Sequence, residues 1–410
     1  MFILKTVKPI SVVFSVIFLI FSFSTNARSL SDIETLGKRI FFDQQLSANA
    51  NQSCASCHGK NVGWTGPISN INRHGAVYEG SIAGRFGNRK PPSSAYATLS
   101  PIFHYWERED LFIGGNFWDG RATGEKLGNP AADQAQGPFL NPLEQALNMP
   151  SDVIDRICNG TYAYLFTNVW GDASCDTTNV DTAYDYVALS IAAYEGSSEV
   201  NAFSSKYDAF LANEVKLEKE ERKGLRLFKG KAKCSLCHTL SGKAPLLTDF
   251  TFDNLGVPRN PENPFYTQTD FNPDGFDWVD KGLGGFLETR PEYADKALQN
   301  YGKQKVPTLR NVDKRPSDEF VKAYAHNGYF KSLKGIVHFY NTRDVKPTCI
   351  DAFTTEADAL AQGCWPAPEI AANVNTDELG DLGLTENEEE ALVAFMKTLS
   401  DGFESDDEDD

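Results

Sequence analysis

Two short runs in this chain carry residues that do chemistry together: Cys54-Ala-Ser-Cys57-His58 and Cys234-Ser-Leu-Cys237-His238. In a Cys-x-x-Cys-His run the two thiols reach the two vinyl groups of one haem, and the adjacent histidine swings under the ring to bind iron. A zinc site or a redox dithiol also uses Cys-x-x-Cys, but neither asks for a histidine immediately afterwards, twice in one chain. The runs therefore predict two covalently bound haem c groups. Cys54, Cys57 and His58 would hold one, and Cys234, Cys237 and His238 the other.

What such a haem does depends on the far side of its iron. Two strong protein ligands make an electron carrier, whereas an open sixth position lets the metal bind and activate a small molecule. Of six histidines, those outside the two runs are His74, His104, His326 and His338. Met149 precedes Pro150 and is a weak ligand candidate, and Met396 reads as a core residue of the last helix. His104, within Phe103-His104-Tyr105-Trp106, reads as a packed or hydrogen-bonded histidine.

The elements that must position these groups form an internal repeat. Gly37-Lys38-Arg39-Ile40-Phe41-Phe42 precedes the first run and Gly224-Leu225-Arg226-Leu227-Phe228-Lys229 the second, with apolar residues at matching offsets. Each predicts a helix leading into a haem site. Asp181 to Glu195 reads as a further helix, and Thr385-x-x-Glu388 is a capping box opening a last helix with Leu392, Phe395, Met396 and Leu399 on one face. Strand signals are sparse, and Gly and Pro crowd the intervals. The expected fold is mainly α: two cytochrome c-like haem domains with long loops, at residues 28–205 and 206–403.

The flanks bear on compartment. Lys5 and Lys8 precede an apolar run from Ile10 to Phe23, and Thr25-Asn26-Ala27 offers a small-residue cleavage site, so residues 1–27 read as a secretory signal peptide. The rival is an uncleaved anchor, but the run is shorter than the ~20 residues needed to span a bilayer. Export to an oxidising compartment, the periplasm in a bacterium, predicts disulfides for the other four cysteines. Local loops make Cys158–Cys175 and Cys349–Cys364 the favoured pairing over bridges between the halves. The net charge of -17 argues against nucleic acid and for solubility or a basic partner. The tail, residues 404–410, is nearly all acid and reads as a solvated end.

Further motifs make a resemblance specific. The chain resembles the bacterial dihaem cytochrome c peroxidase and MauG family from about Leu36 to Asp401. It does so through both haem runs, Phe117-Trp118-Asp119-Gly120-Arg121, Gln134-Ala135-Gln136-Gly137-Pro138, Asn141-Pro142-Leu143-Glu144, Val306-Pro307-Thr308-Leu309-Arg310-Asn311-Val312 and Ala325-His326-Asn327-Gly328. The resemblance implies that the N-terminal haem reacts with hydrogen peroxide on the His58 iron. His74 falls where these peroxidases place a distal histidine that leaves on activation. Glu144 matches a distal carboxylate that moves a proton between the peroxide oxygens. Gln134 would help line that pocket, Trp118 matches an electron relay between the haems, and His326 a structural position near the second haem.

One departure divides the family's two chemistries. The second haem of the peroxidases is usually held by His and Met, whereas Tyr340 stands at the methionine position here, as in MauG-type members. A phenolate stabilises ferric and higher-valent iron. His338, two residues earlier, is the alternative ligand. The implied activity is peroxide reduction with electrons from a small redox protein. The alternative is MauG-like oxidation of tryptophans in a partner protein, and a pure electron-transfer cytochrome is a third reading. The family is often dimeric and commonly carries a calcium ion between its domains. Lys90 stands at the usual asparagine ligand of that ion, with Asn88 two residues away as a substitute.

Overall fold

The computed structural model describes residues 29–404, so the expected signal peptide and all but the first residue of the acidic tail lie outside the described residues. The chain is mainly α-helical, with long connections that turn through short 3-10 segments. Its first helix, Asp32–Phe41, opens on a capping box in which Ser31 and Glu34 satisfy each other's backbone donors. Leu36, Ile40 and Phe41 on one face are buried. They pack against Val180–Glu195, the helix expected between the halves.

The second half repeats this crossing. Lys219–Lys229 packs on Glu386–Lys397, whose capping box is Thr385 with Glu388, and Leu392, Phe395, Met396 and Leu399 are all buried. Both crossings are so close that only glycine fits. A Cβ on Gly37 would lie 1.8 Å from the Ser190 carbonyl oxygen, and one on Gly224 would lie 1.9 Å from that of Ala391.

Two hydrophobic cores result, one drawing on residues from Leu36 to Val200 and the other from Tyr207 to Leu399. A fully buried leucine or phenylalanine in them contributes roughly 1.5–3 kcal/mol. A third cluster joins Phe103 and Phe112 to Phe252, Leu283 and Leu287 and so ties the halves together. Two short antiparallel ladders flank it, His104–Trp106 with Leu111–Ile113 and Phe252–Asp253 with Gln304–Lys305. Cys158–Cys175 and Cys349–Cys364 form the two local disulfides expected from the sequence. Cys54, Cys57, Cys234 and Cys237 take no part in a disulfide.

Candidate active site

Each Cys-x-x-Cys-His run opens onto its own cavity, and each cavity with the space leading from it holds about 1770 Å³ outside protein atoms, ample for a porphyrin. In the first, the short helix Cys54–Cys57 ends at His58. The His58 Nδ1 lies 3.1 Å from the Trp64 carbonyl oxygen, an acceptor that assigns the ring proton to Nδ1 and leaves Nε2 for a metal. Burial pushes the imidazole down to about 4, so it is neutral, the form that ligates.

The same cavity is lined by Gln134, on the helix Pro130–Ala135, and by Glu144. Asn141 holds that carboxylate, its amide donating to Oε1 at 2.8 Å. Burial raises the Glu144 pKa, against the opposing charge of Arg121 and the Asn141 bond. A buried carboxylate with a raised pKa is suited to accept and return a proton.

The second cavity is more apolar, walled by Leu333, Ile336, Leu382, Leu384 and Met396. His238 is set up as His58 is, with Nδ1 2.9 Å from the Leu247 carbonyl oxygen. Tyr340, on the helix Leu333–Thr342, lines this cavity, and burial pushes its phenol above the usual range. His338 is not among the lining residues. Its Nδ1 lies 2.9 Å from the Glu389 carboxylate instead.

Trp118 borders both cavities and is only 9% exposed. Its Nε1 donates to the Lys90 carbonyl at 2.8 Å, and its own carbonyl accepts from the Lys305 amide at 2.7 Å. Phe117 before it sits at a φ of 62°, a strained backbone position for a bulky residue. Asp119 after it meets Arg89 at 2.6 Å and Arg121 at 2.7 Å, and Arg89 forks onto Asp280 at 2.6 and 2.7 Å. Burial alone would raise Asp119 and Asp280, but the Arg89 guanidinium beside them outweighs it and holds both below the usual carboxylate range. This buried network joins the two halves around the indole.

Other candidates lie elsewhere. His74 caps the helix Ser69–Arg73 at the surface, its Nδ1 2.8 Å from the Asn70 carbonyl oxygen, and it does not line the first cavity. Met149 is 53% exposed, and the exposed His104 has its Nδ1 2.8 Å from the Ile102 carbonyl oxygen. His326 is buried with Nε2 3.5 Å from Glu369, its ring 6.4 Å from that of Trp118. Cys237, Asp253 and Glu378 have metal-binding spacing, but Cys237 belongs to a haem run, and the Asn375 amide bridges the two carboxylates at 2.6 and 2.7 Å.

Glu195 was not singled out by the sequence beyond ending a helix, yet it lines the first cavity, and burial pushes its carboxyl up to about 8. An acid at the inner end of an otherwise apolar helix face was the available signal.

Residues 31–216 match the family model described as di-haem cytochrome c peroxidase. The methylamine utilization protein MauG of Paracoccus denitrificans (strain Pd 1222) is 33% identical over 386 residues, 92% of this chain and 90% of that protein. The chain belongs to the di-haem cytochrome c peroxidase and MauG family. Cytochrome-c peroxidase IdrP1 of Denitromonas iodatirespirans is 28% identical over 90% of this chain and 82% of its own length. Among solved structures, the diheme peroxidase BthA from Burkholderia thailandensis E264 matches with a TM-score of 0.75 and 28% identity, over 92% of this chain and 87% of that one. Family membership brings two haem cofactors, and the cavities of His58 and His238 have the room and donors for them. Among the described residues, no helix is long and apolar enough to cross a membrane.

Proposed function

We propose that this chain reduces hydrogen peroxide to water at the haem held by His58, with electrons that enter at the haem held by His238 and pass through Trp118. The observation that carries this reading is that Trp118 lines both cavities while a carboxyl with a raised pKa, Glu144, lines only the first. Cys54 with Cys57, and Cys234 with Cys237, would hold the two haems through thioether bonds to their vinyl groups. When bound, the haems supply iron that exchanges electrons with peroxide.

The chain's own residues do the rest. His58 and His238, neutral and oriented through Nδ1, would each hold one haem iron through Nε2, and Tyr340 would be a further ligand in the His238 cavity. Glu144 receives a proton from one peroxide oxygen and delivers it to the other, so that the O–O bond breaks toward water as leaving group. Gln134 orients peroxide beside it. Two electrons and two protons turn one peroxide into two waters. The electrons come from a small redox protein. Residues 1–27 direct the chain to the periplasm, and the division near residue 205 separates a peroxide half from an electron-entry half.

A second reading, peroxide-driven oxidation of tryptophans in a partner protein, is favoured by Tyr340, because a phenolate holds the second haem at low potential and lets it share oxidising equivalents. Low-temperature EPR of the resting ferric protein, followed by stoichiometric peroxide, separates the two. A pair of low-spin haems that react only after one-electron reduction, with His74 bound at rest, supports the scavenging peroxidase. A high-spin haem beside a low-spin one, both silenced by peroxide and slow to recover, supports oxidation of a partner. No reaction of either form with peroxide would sink both.

A further inference from the structure

At the junction of the two halves stand two buried lysines, one with its ammonium group on three backbone carbonyls and the other on a hydroxyl and a carbonyl. Lys322 is 5% exposed, and its Nζ donates to the carbonyls of Val62 at 2.9 Å, Asn311 at 2.6 Å and Lys314 at 3.1 Å. Val62 belongs to the turn that follows His58, and Asn311 and Lys314 to the loop that follows Pro307, a residue lining both cavities. The two loops approach so closely that a Cβ on Gly63 would lie 2.9 Å from the Asn311 carbonyl oxygen. Lys90 is 7% exposed and donates from Nζ to Thr65 Oγ1 at 2.9 Å and to the Pro91 carbonyl at 3.0 Å. Its main chain accepts from the Trp118 indole and donates to the His326 carbonyl.

We propose that Lys322 supplies the cation that clasps the two haem-binding halves, with the Lys90 ammonium held on Thr65 and Pro91 of the first half, in place of the calcium ion that the family resemblance implies. Three carbonyl acceptors around one nitrogen call for three N–H donors, and only the protonated ammonium has three. Burial, then the charge of Lys90, pushes Lys322 well below the ordinary lysine range, and Asp313 opposes them. The geometry decides in favour of the charged form.

Calcium does not fit these residues. It takes six to eight oxygens from carboxylates, carbonyls or waters, and they must be free to turn to the ion. Here the oxygens are neutral carbonyls and a hydroxyl already engaged by two ammonium groups, and a divalent ion would have to sit against both positive charges. Lys90 occupies the position aligned with the family's asparagine ligand. The clasp makes Lys322 a positioning residue: it fixes the His58 turn against the Pro307 loop, while the main-chain carbonyl of Lys90 holds the indole between the cavities.

The test uses the two-haem protein and calcium itself, and it does not depend on peroxide turnover. Elemental analysis of protein prepared in calcium-containing buffer should find substoichiometric calcium, and EGTA should leave the resting EPR spectrum of both haems unchanged. One tightly held calcium per chain, or haem signals that shift when EGTA removes it, would overturn the proposal. In the second arm, Lys322→Ala combined with Lys90→Asn should shift the resting haem signals, and added calcium should bind by calorimetry and restore them, whereas the unaltered protein shows no binding heat. A folded double variant with unshifted signals, or one that calcium leaves unrestored, would equally overturn it. If that variant fails to fold, the calcium content and EGTA response of the unaltered protein still decide.

Discussion

Ser190 and Tyr194 meet Gly37 in the first half just as Ala391 and Phe395 meet Gly224 in the second, so the closing helices Val180–Glu195 and Glu386–Lys397 cross their partners in the same register. Ile191 and Leu392, the next residues in that register, both line a haem cavity. One place further along, Glu195 follows Tyr194 where Met396 follows Phe395, and both again line their cavities. Equivalent backbone thus presents an acid to one haem and a thioether to the other. The same contrast runs through the walls: Gln134, Glu144 and Arg121 in the first cavity, Leu333, Leu382 and Leu384 with the Tyr340 phenol in the second. One scaffold used twice thus gives a first cavity with an acid on its closing helix and a more apolar second one with a thioether at the same place.

The largest effect should come from removing the first cavity's proton carrier. Glu144→Gln should lower the rate of reaction with peroxide by ~10²–10⁴-fold while both haems remain attached, as stopped-flow spectra and a haem assay would show. An unchanged rate would erase the functional contrast between the cavities. Glu195 offers a second break. Its carboxyl is raised to about 8 by burial, so the native state keeps a proton that the unfolded chain releases in the ordinary carboxylate range. Stability should therefore fall as pH rises from that range through about 8 and level off above it, by on the order of a few kcal/mol. Denaturant melts of Glu195→Gln should show a shallower slope, the remainder coming in part from Glu356 in the second half, which burial raises to about 7.

The shared crossing can be tested from both sides. Gly37→Ala and Gly224→Ala each force a methyl into a carbonyl and should each cost about 1–3 kcal/mol in denaturant melts. A large difference between them would show that the halves are less alike than their register. The subtlest change concerns the second haem alone. Tyr340→Phe should alter its EPR signal and raise its potential in a redox titration, leaving the signal of the first haem in place. No change would return the ligand position to His338.

How much was legible beforehand follows from the distance over which each feature is encoded. The Cys-x-x-Cys-His runs, the Thr385–Glu388 capping box and the two disulfide loops are set by residues within a few positions or a single loop, and the helices and bridges formed where those patterns stood. Tyr340 and His338 lie on one helix two residues apart, and sequence left both open. Only packing against Glu389 turns His338 away from the cavity. His74 carries a family position but sits at the surface, where the main-chain carbonyl of Asn70 in its own helix satisfies its ring.

By itself, then, the sequence determined the haem attachment pattern, the repeat of helix and haem site, and the acid, indole and phenol available for redox chemistry. Tertiary structure alone decided which of those groups share a cavity: that Trp118 borders both, that Glu195 joins Glu144, and that Lys322 spans from the His58 turn to the Pro307 loop. The physical reason is that burial and close approach belong to pairs of segments as far as 305 positions apart. A hydrogen-bond acceptor or a raised carboxyl comes into being only when the chain has excluded water around it.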